Sequence, residues 1–189
     1  TNPLTHNVEI GPRKHTTKAL CGAFPLVDTV LVKNPPGTLD FLRFMNIFEG
    51  LGSKIIYDET GSLSIQNGEL DITEPDKENV QKVRASILLL SATLLRTGHI
   101  RMPLPEGDWP GSRPTSSTLS VAEQFGVEIN QNGQSISATL KKSEKKKRVI
   151  NVNNKVFATL AAMILATGIG GETTIENPLS SLEVDNLER

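Results

Sequence analysis

At 189 residues and 37% hydrophobic content, the chain carries enough apolar mass to bury one sizeable core. Its formal net charge of −1 excludes a global field that would recruit nucleic acid or an acidic membrane. A single cysteine, Cys21, excludes an intrachain disulfide and agrees with a reducing, cytoplasmic setting.

Residues 1–11 are mixed polar and carry no signal-peptide pattern, and Thr1 in place of methionine reads as a trimmed start. An apolar helix is predicted over 17–26, leading into a strand at 29–33 and then Asn34-Pro35. A second helix covers 39–51 and stops at Gly52, a C-cap signal, before strands 54–58 and 62–65 around Gly61. The order then returns. An apolar helix at 85–96 runs into a strand at 99–102 and Leu104-Pro105. A helix at 119–125 ends at Gly126, and strands 127–130 and 135–140 are joined by the hairpin signal Asn132-Gly133. Helix 158–166, strand 173–176 and Asn177-Pro178 open a third copy that goes no further, and 184–189 read as the start of another helix.

A repeat of about 70 residues is long for a solenoid unit. The first helix of each copy is its most apolar segment. The prediction is therefore an α/β (α+β) domain of pseudo-threefold design, with inner helices and outer sheets. The longest apolar run, 156–169, is too short to span a bilayer. The basic run 141–148 has no interleaved aromatics and reads as a solvated loop between strands rather than a nucleic-acid patch.

Chemistry concentrates in two places. One is Val83-Arg84-Ala85-Ser86. The other is the loop Pro105-Glu106-Gly107-Asp108-Trp109-Pro110-Gly111-Ser112-Arg113-Pro114. Arginine forks suit carboxylates and phosphates, and an aspartate among them can act as acid or base on what they hold. Lys14 stands just before a helix, where free backbone amides attract anions. Each residue also has a plainer reading. Lys14 fits an exposed surface lysine, Arg84 a partner of Glu78, Arg113 a loop arginine and Asp108 a turn residue. His6, His15 and His99 are scattered and offer no metal-ligand spacing. The glycines of Gly168-Ile169-Gly170-Gly171 follow a helix rather than open one, so they make a turn and no dinucleotide loop.

Taken in order, several segments resemble the enolpyruvyl transferase family. They are Gly11-Pro12-Arg13-Lys14-His15, the Arg84 segment, the Asp108–Arg113 loop and Glu172-Thr173-Thr174-Ile175-Glu176-Asn177. The resemblance covers nearly the whole chain, corresponds to the N-terminal half of a family enzyme, and is nearest to the UDP-N-acetylglucosamine branch. It implies the family's inside-out barrel of three units. Residues 1–11 would be a crossing strand belonging to an absent domain, 12–178 the three-unit domain, and 179–189 the start of the return.

The resemblance further implies an enzyme that moves the enolpyruvyl group of phosphoenolpyruvate to a hydroxyl of UDP-N-acetylglucosamine, releasing phosphate, in peptidoglycan precursor synthesis. Lys14 and His15 would bind substrate at the hinge, and Arg84 and Arg113 would hold its charges. Asp108 takes the place of a cysteine that serves many members as general acid, which implies that fosfomycin-type epoxide alkylation fails here. Lys155, in Asn153-Asn154-Lys155-Val156-Phe157, falls where the family has a turn near the diphosphate. The implied partners are phosphoenolpyruvate, a nucleotide sugar or other hydroxylated acceptor, and the missing second domain. Neither cofactor, metal, nucleic acid nor membrane is implied.

Departures lie on the acceptor side. Ser116 and Thr118 replace an aspartate and a histidine near the uridine, Leu39 replaces a lysine, and His15 an asparagine. They leave open an enolpyruvyl transferase for a different acceptor, or a non-catalytic binding domain that keeps the fold. The chain by itself is expected to bind weakly and turn over nothing.

Overall fold

The computed structural model describes residues 5–9, 16–24, 27–68, 74–105, 115–141, 147–181, 184, 185 and 187. Strand β1 (Thr5–Glu9), helix α1 (Thr16–Ala23) and strand β2 (Thr29–Lys33) open the first unit, followed by α2 (Leu39–Gly50), β3 (Lys54–Tyr57) and β4 (Leu63–Gln66). The second unit holds α3 (Lys77–Lys82), a 3₁₀ turn (Arg84–Ile87), α4 (Leu88–Thr97), β5 (His99–Pro103), α5 (Ser116–Gln124), β6 (Val127–Asn132) and β7 (Ser135–Leu140). The third has β8 (Arg148–Asn151), α6 (Val156–Gly168) and β9 (Thr173–Glu176).

The repeat is visible in the strand pairing. The sheets are ordered β1-β2-β4-β3, β5-β7-β6 and β8-β9. In the first two, the strand after the inner helix pairs antiparallel with the last strand of its unit, which pairs antiparallel with the one before it. In the first and third, the strand before the inner helix runs parallel to the strand after it.

That pairing places β1 differently from the expected crossing strand of an absent domain. Thr5↔Thr29 through Glu9↔Lys33 put it in this chain's own sheet. The free edge of β2 offers unpaired backbone groups, and β1-α1-β2 is the same parallel unit as β8-α6-β9.

Helix α4 has no polar face. Every residue from Leu88 to Leu94 is buried, as suits a helix at the centre of a domain. Helix α6 buries Ala158, Thr159, Leu160, Ala161, Ala162, Ile164 and Leu165. Strands such as β7 and β8 alternate buried and exposed residues, so the sheets lie outside with one face on the helices. Phe24 stacks on Phe48 at 4.7 Å, and Phe44 meets Phe48 edge-on at 5.8 Å, joining α2 to α1.

The three inner helices run in the same direction. At one end Lys18 of α1 and Arg84, just before α4, both lie over the ring of Phe157 in the first turn of α6. At the other end Arg96 of α4 reaches the carbonyls of Phe24 and Val27 after α1. There too the Cα of Gly168 lies so close that a Cβ would sit 2.6 Å from Leu95 Cδ2.

Two further elements differ from the sequence reading. The helix predicted at 85–96 opens with a 3₁₀ turn that runs directly into α4. The buried Ser86 Oγ donates to Val80 O at 2.8 Å and its N–H to Val83 O at 3.0 Å, which ties the turn to α3. Arg148, assigned to a solvated loop, is only 9% exposed and opens strand β8, with Val149 outward and Ile150 inward. Its guanidinium finds carbonyl partners inside, at Ile169 and Gly170, as a buried charge must.

Candidate functional site

Helix caps separate ordinary helices from those that could meet a ligand. The outer helices α2 and α3 are finished conventionally. Thr38 accepts from Phe41 N–H at 3.3 Å with Asp40 in the first turn of α2. Asp76 accepts from Asn79 N–H at 2.8 Å with Glu78 in the first turn of α3. These are the residues that satisfy orphan amides and complement the positive end of a helix.

The inner helices are finished the opposite way. No acidic residue occupies the first turn of α1, the Arg84 turn, α4 or α6. Neither α4 nor α6 nor the Arg84 turn has a side-chain cap. Cations stand there instead: Lys18 in α1, Arg84 ahead of α4, and Lys155 at the N-cap of α6. Each helix start carries roughly half a positive charge, so cations at this end oppose helix stability. The arrangement suits an anion placed among them.

Local structure fixes these positions. The Ser86 bonds described above set the Arg84 turn. Glu78, the acid that a plainer reading paired with Arg84, pairs with Lys82 one helical turn away. The Arg84 guanidinium carbon lies 4.7 Å from the Phe157 ring centre, and Lys18 Nζ lies 5.3 Å from it.

Lys155 is exposed and is aimed by an unusual turn. Asn153 and Asn154 are both left-handed, with φ of 49° and 53°, a conformation that asparagine tolerates. Asn151 Oδ1 accepts from Asn153 N–H at 3.0 Å and from Asn177 Nδ2 at 3.2 Å, and Asn154 N–H donates to Asn177 O at 2.9 Å. The Lys155 carbonyl accepts from both the Thr159 N–H and its hydroxyl.

The structure thus brings two residues singled out in the sequence, Arg84 and Lys155, to the N-terminal end of the inner helices. It adds Lys18 and Phe157, which sequence reasoning missed. Lys18 carried one signal, a cation in the first turn of an apolar helix without acids. Phe157 carried another, a bulky ring opening a helix of small residues. Lys14, His15, Asp108 and Arg113 lie outside the described residues. Helix α5, which follows the segment bearing Asp108 and Arg113 in sequence, also has no side-chain cap and no acid in its first turn.

On the acceptor side, Leu39 is exposed at the start of α2, and Ser116 is exposed at the start of α5. Thr118 is 1% exposed and belongs to the core. Cys21 is buried in α1, and burial pushes its thiol well above the ordinary range, so it is no nucleophile. Among the described residues no His, Cys, Asp and Glu cluster could hold a metal ion, and no helix is long and apolar enough to cross a membrane.

Comparison with known proteins gives a consistent picture. Residues 1–189 match the family described as EPSP synthase (3-phosphoshikimate 1-carboxyvinyltransferase). UDP-N-acetylglucosamine 1-carboxyvinyltransferase 3 of Symbiobacterium thermophilum is 30% identical over 177 residues, 93% of this chain and 42% of its own length. UDP-N-acetylglucosamine 1-carboxyvinyltransferase of Gluconobacter oxydans is 31% identical over 185 residues, 97% of this chain and 44% of its own length. In three dimensions the chain is similar to the enolpyruvyl transferase NikO from Streptomyces tendae, with a TM-score of 0.78 at 20% identity, covering 99% of this chain and 44% of that one. It is also similar to EPSP synthase from Acinetobacter baumannii, with a TM-score of 0.68 at 16% identity, covering 98% and 43%. The chain spans less than half the length of these relatives.

Proposed function

From the premise that this chain belongs to the EPSP synthase family of enolpyruvyl transferases, we propose that it forms one half of such an enzyme's active site. The reaction moves the enolpyruvyl group of phosphoenolpyruvate to a hydroxyl of UDP-N-acetylglucosamine and releases phosphate, a step of peptidoglycan precursor synthesis in the cytoplasm. The named curated relatives near 30% identity support that acceptor. The observation that carries the phosphoenolpyruvate part is the set of cations at the inner-helix starts, two of which, the Arg84 turn leading into α4 and α6, have no side-chain cap. A compact anion with phosphate and carboxylate charges is the natural counterpart of such a cluster.

In this reading Arg84 and Lys155, with Lys14 and His15 before α1 and Arg113 of the loop, bind the substrates' charged groups. The acceptor oxygen attacks the phosphate-bearing enol carbon of phosphoenolpyruvate while a proton is delivered to its terminal methylene, which becomes a methyl. The tetrahedral adduct then loses a proton from that methyl as the carbon–phosphate oxygen bond breaks and phosphate leaves. Asp108 is the acid for the first step and takes the proton back in the second, which requires a carboxyl that holds a proton once the loop closes and water leaves. The base for the acceptor hydroxyl comes from a second domain.

A second reading keeps the reaction and changes the acceptor. It is favoured by Thr118, which is buried and cannot face a uridine, and by exposed Leu39 where the family pattern has a lysine.

Phosphate release from phosphoenolpyruvate tests both. The chain alone is expected to release none. Joined with its second domain, it is expected to release phosphate only with UDP-N-acetylglucosamine, and Asp108→Asn and Arg113→Ala are expected to lose at least a hundredfold in rate, the scale of a lost proton-transfer group. Release without dependence on that sugar nucleotide moves the reading to another acceptor. No release and no binding of phosphoenolpyruvate overturns both.

A further inference from the structure

We propose that Phe157 is a positioning residue of this anion site, holding the Lys18 and Arg84 charges together at the inner-helix starts. The inference rests on the reading just given and deepens it.

Two cations share one aromatic ring, Arg84 at 4.7 Å and Lys18 at 5.3 Å. They come from different repeats, and the ring comes from the third. Lysine and arginine side chains are long and rotamer-rich, and ordering them on a ligand is costly. Helix ends of positive sign would push both away from the junction. The quadrupole of the Phe157 ring pulls the other way and holds the two charges together before any anion arrives. Phe157 is half-buried and packed on the core, so the ring is itself a fixed platform. Preorganisation of this kind raises affinity by lowering the ordering cost. The ring contributes no charge, so its effect on an anion must pass through Lys18 and Arg84. The ligand class is a small anion with more than one negative charge, of which phosphoenolpyruvate and inorganic phosphate are two examples.

The test is an amide chemical-shift titration of this chain with phosphoenolpyruvate and, separately, with inorganic phosphate. Shifts are expected at the starts of α1, the Arg84 turn and α6. Phe157→Leu and Lys18→Met are each expected to weaken binding by about two- to fivefold, the scale of one or two exposed cation–aromatic contacts. The double variant is expected to weaken it by less than the product of the two. Phe157→Tyr, which keeps the ring, is expected to restore binding to within about twofold with the same thermal midpoint, a rescue that packing volume in leucine does not provide. Phosphoenolpyruvate binding that Phe157→Leu leaves unchanged overturns this inference and spares the proposed function. Phe157-dependent binding of phosphate without binding of phosphoenolpyruvate keeps the inference and overturns the proposed substrate. Binding of neither anion by the wild-type chain overturns both.

Discussion

The two ends of the inner-helix trio use the same side chains for opposite purposes. At the C-terminal end Arg96 lies over Phe24 and donates to the carbonyls of Phe24, Val27, Asn67 and Gly68, with Asp28 at 3.4 Å. Arg148 lies over Phe125 and donates to the carbonyls of Ile169 and Gly170, where α6 ends. Cations belong at that end, because orphan carbonyls and the negative helix terminus welcome them. At the N-terminal end the same cation-over-phenylalanine pairing recurs around Phe157, but the helix field opposes it. A charge that agrees with its helix contributes to stability. One held against its helix points to something that will bind there.

The largest effect on stability is therefore expected at the C-terminal end. Arg96→Met removes one guanidinium from four carbonyls, of which Val27 O keeps its bond from Asn67 Nδ2. A loss of about 2–4 kcal/mol is expected in urea unfolding. Arg96→Lys should recover little of it, since a point charge cannot serve the separate carbonyls that a planar fork reaches. Arg148→Met should cost about 1–3 kcal/mol, with fewer carbonyls stranded. Full stability in Arg96→Met would break the comparison at its stronger side.

A smaller effect separates two serines near each other in sequence. Ser86 Oγ donates to Val80 O and holds the turn that carries Arg84. The hydroxyls of Ser91 and Thr93, deep in α4, have no hydrogen-bond partner. Ser86→Ala should cost about 1 kcal/mol, whereas Ser91→Ala and Thr93→Val should leave the unfolding midpoint unchanged or raise it, because an unsatisfied buried hydroxyl is itself unfavourable. Ser86→Ala should also weaken anion binding, since the Arg84 turn then loses its tie to α3. Equal losses in Ser86→Ala and Ser91→Ala would show that packing alone, without the hydrogen bond, sets the turn.

This pattern also explains what the sequence could reveal. The repeated order of apolar helix, strand and proline was legible because it rests on local periodicity, and two of its strand ends are closed by the same device, a left-handed asparagine before proline at Asn34 and Asn177. Strand β8 was not legible, because its four residues begin with an inward arginine, and alternation that short cannot outweigh a charge. The place of β1 depended on which edge it would join, and nothing local specifies that. Arg84 stood out for its chemistry and Lys155 for its place in a turn, whereas Arg96 looked like any last-turn arginine. The Phe157 junction joins residues from three repeats, and no pattern along one segment encodes it.

The smallest expected stability effects belong to the cations of the N-terminal end, and their smallness is the point. For Arg84→Met, the lost attraction to the Phe157 ring is worth about 0.5–1 kcal/mol at an exposed site. Relief from the positive helix start returns about 0.3–1 kcal/mol. These two effects oppose each other, so urea unfolding should move by less than it does for Arg96→Met. Lys155→Gln, exposed and at an N-cap, should be neutral or slightly stabilising for the same reason. Phosphate binding by both variants should nonetheless fall, and fall most for Arg84→Met, because the fork that pairs with two oxygens is gone. A variant that loses the anion without losing stability separates the two ends. If Arg84→Met instead unfolds as readily as Arg96→Met, Arg84 is part of the framework, and the case for an anion site at these helix starts falls with it.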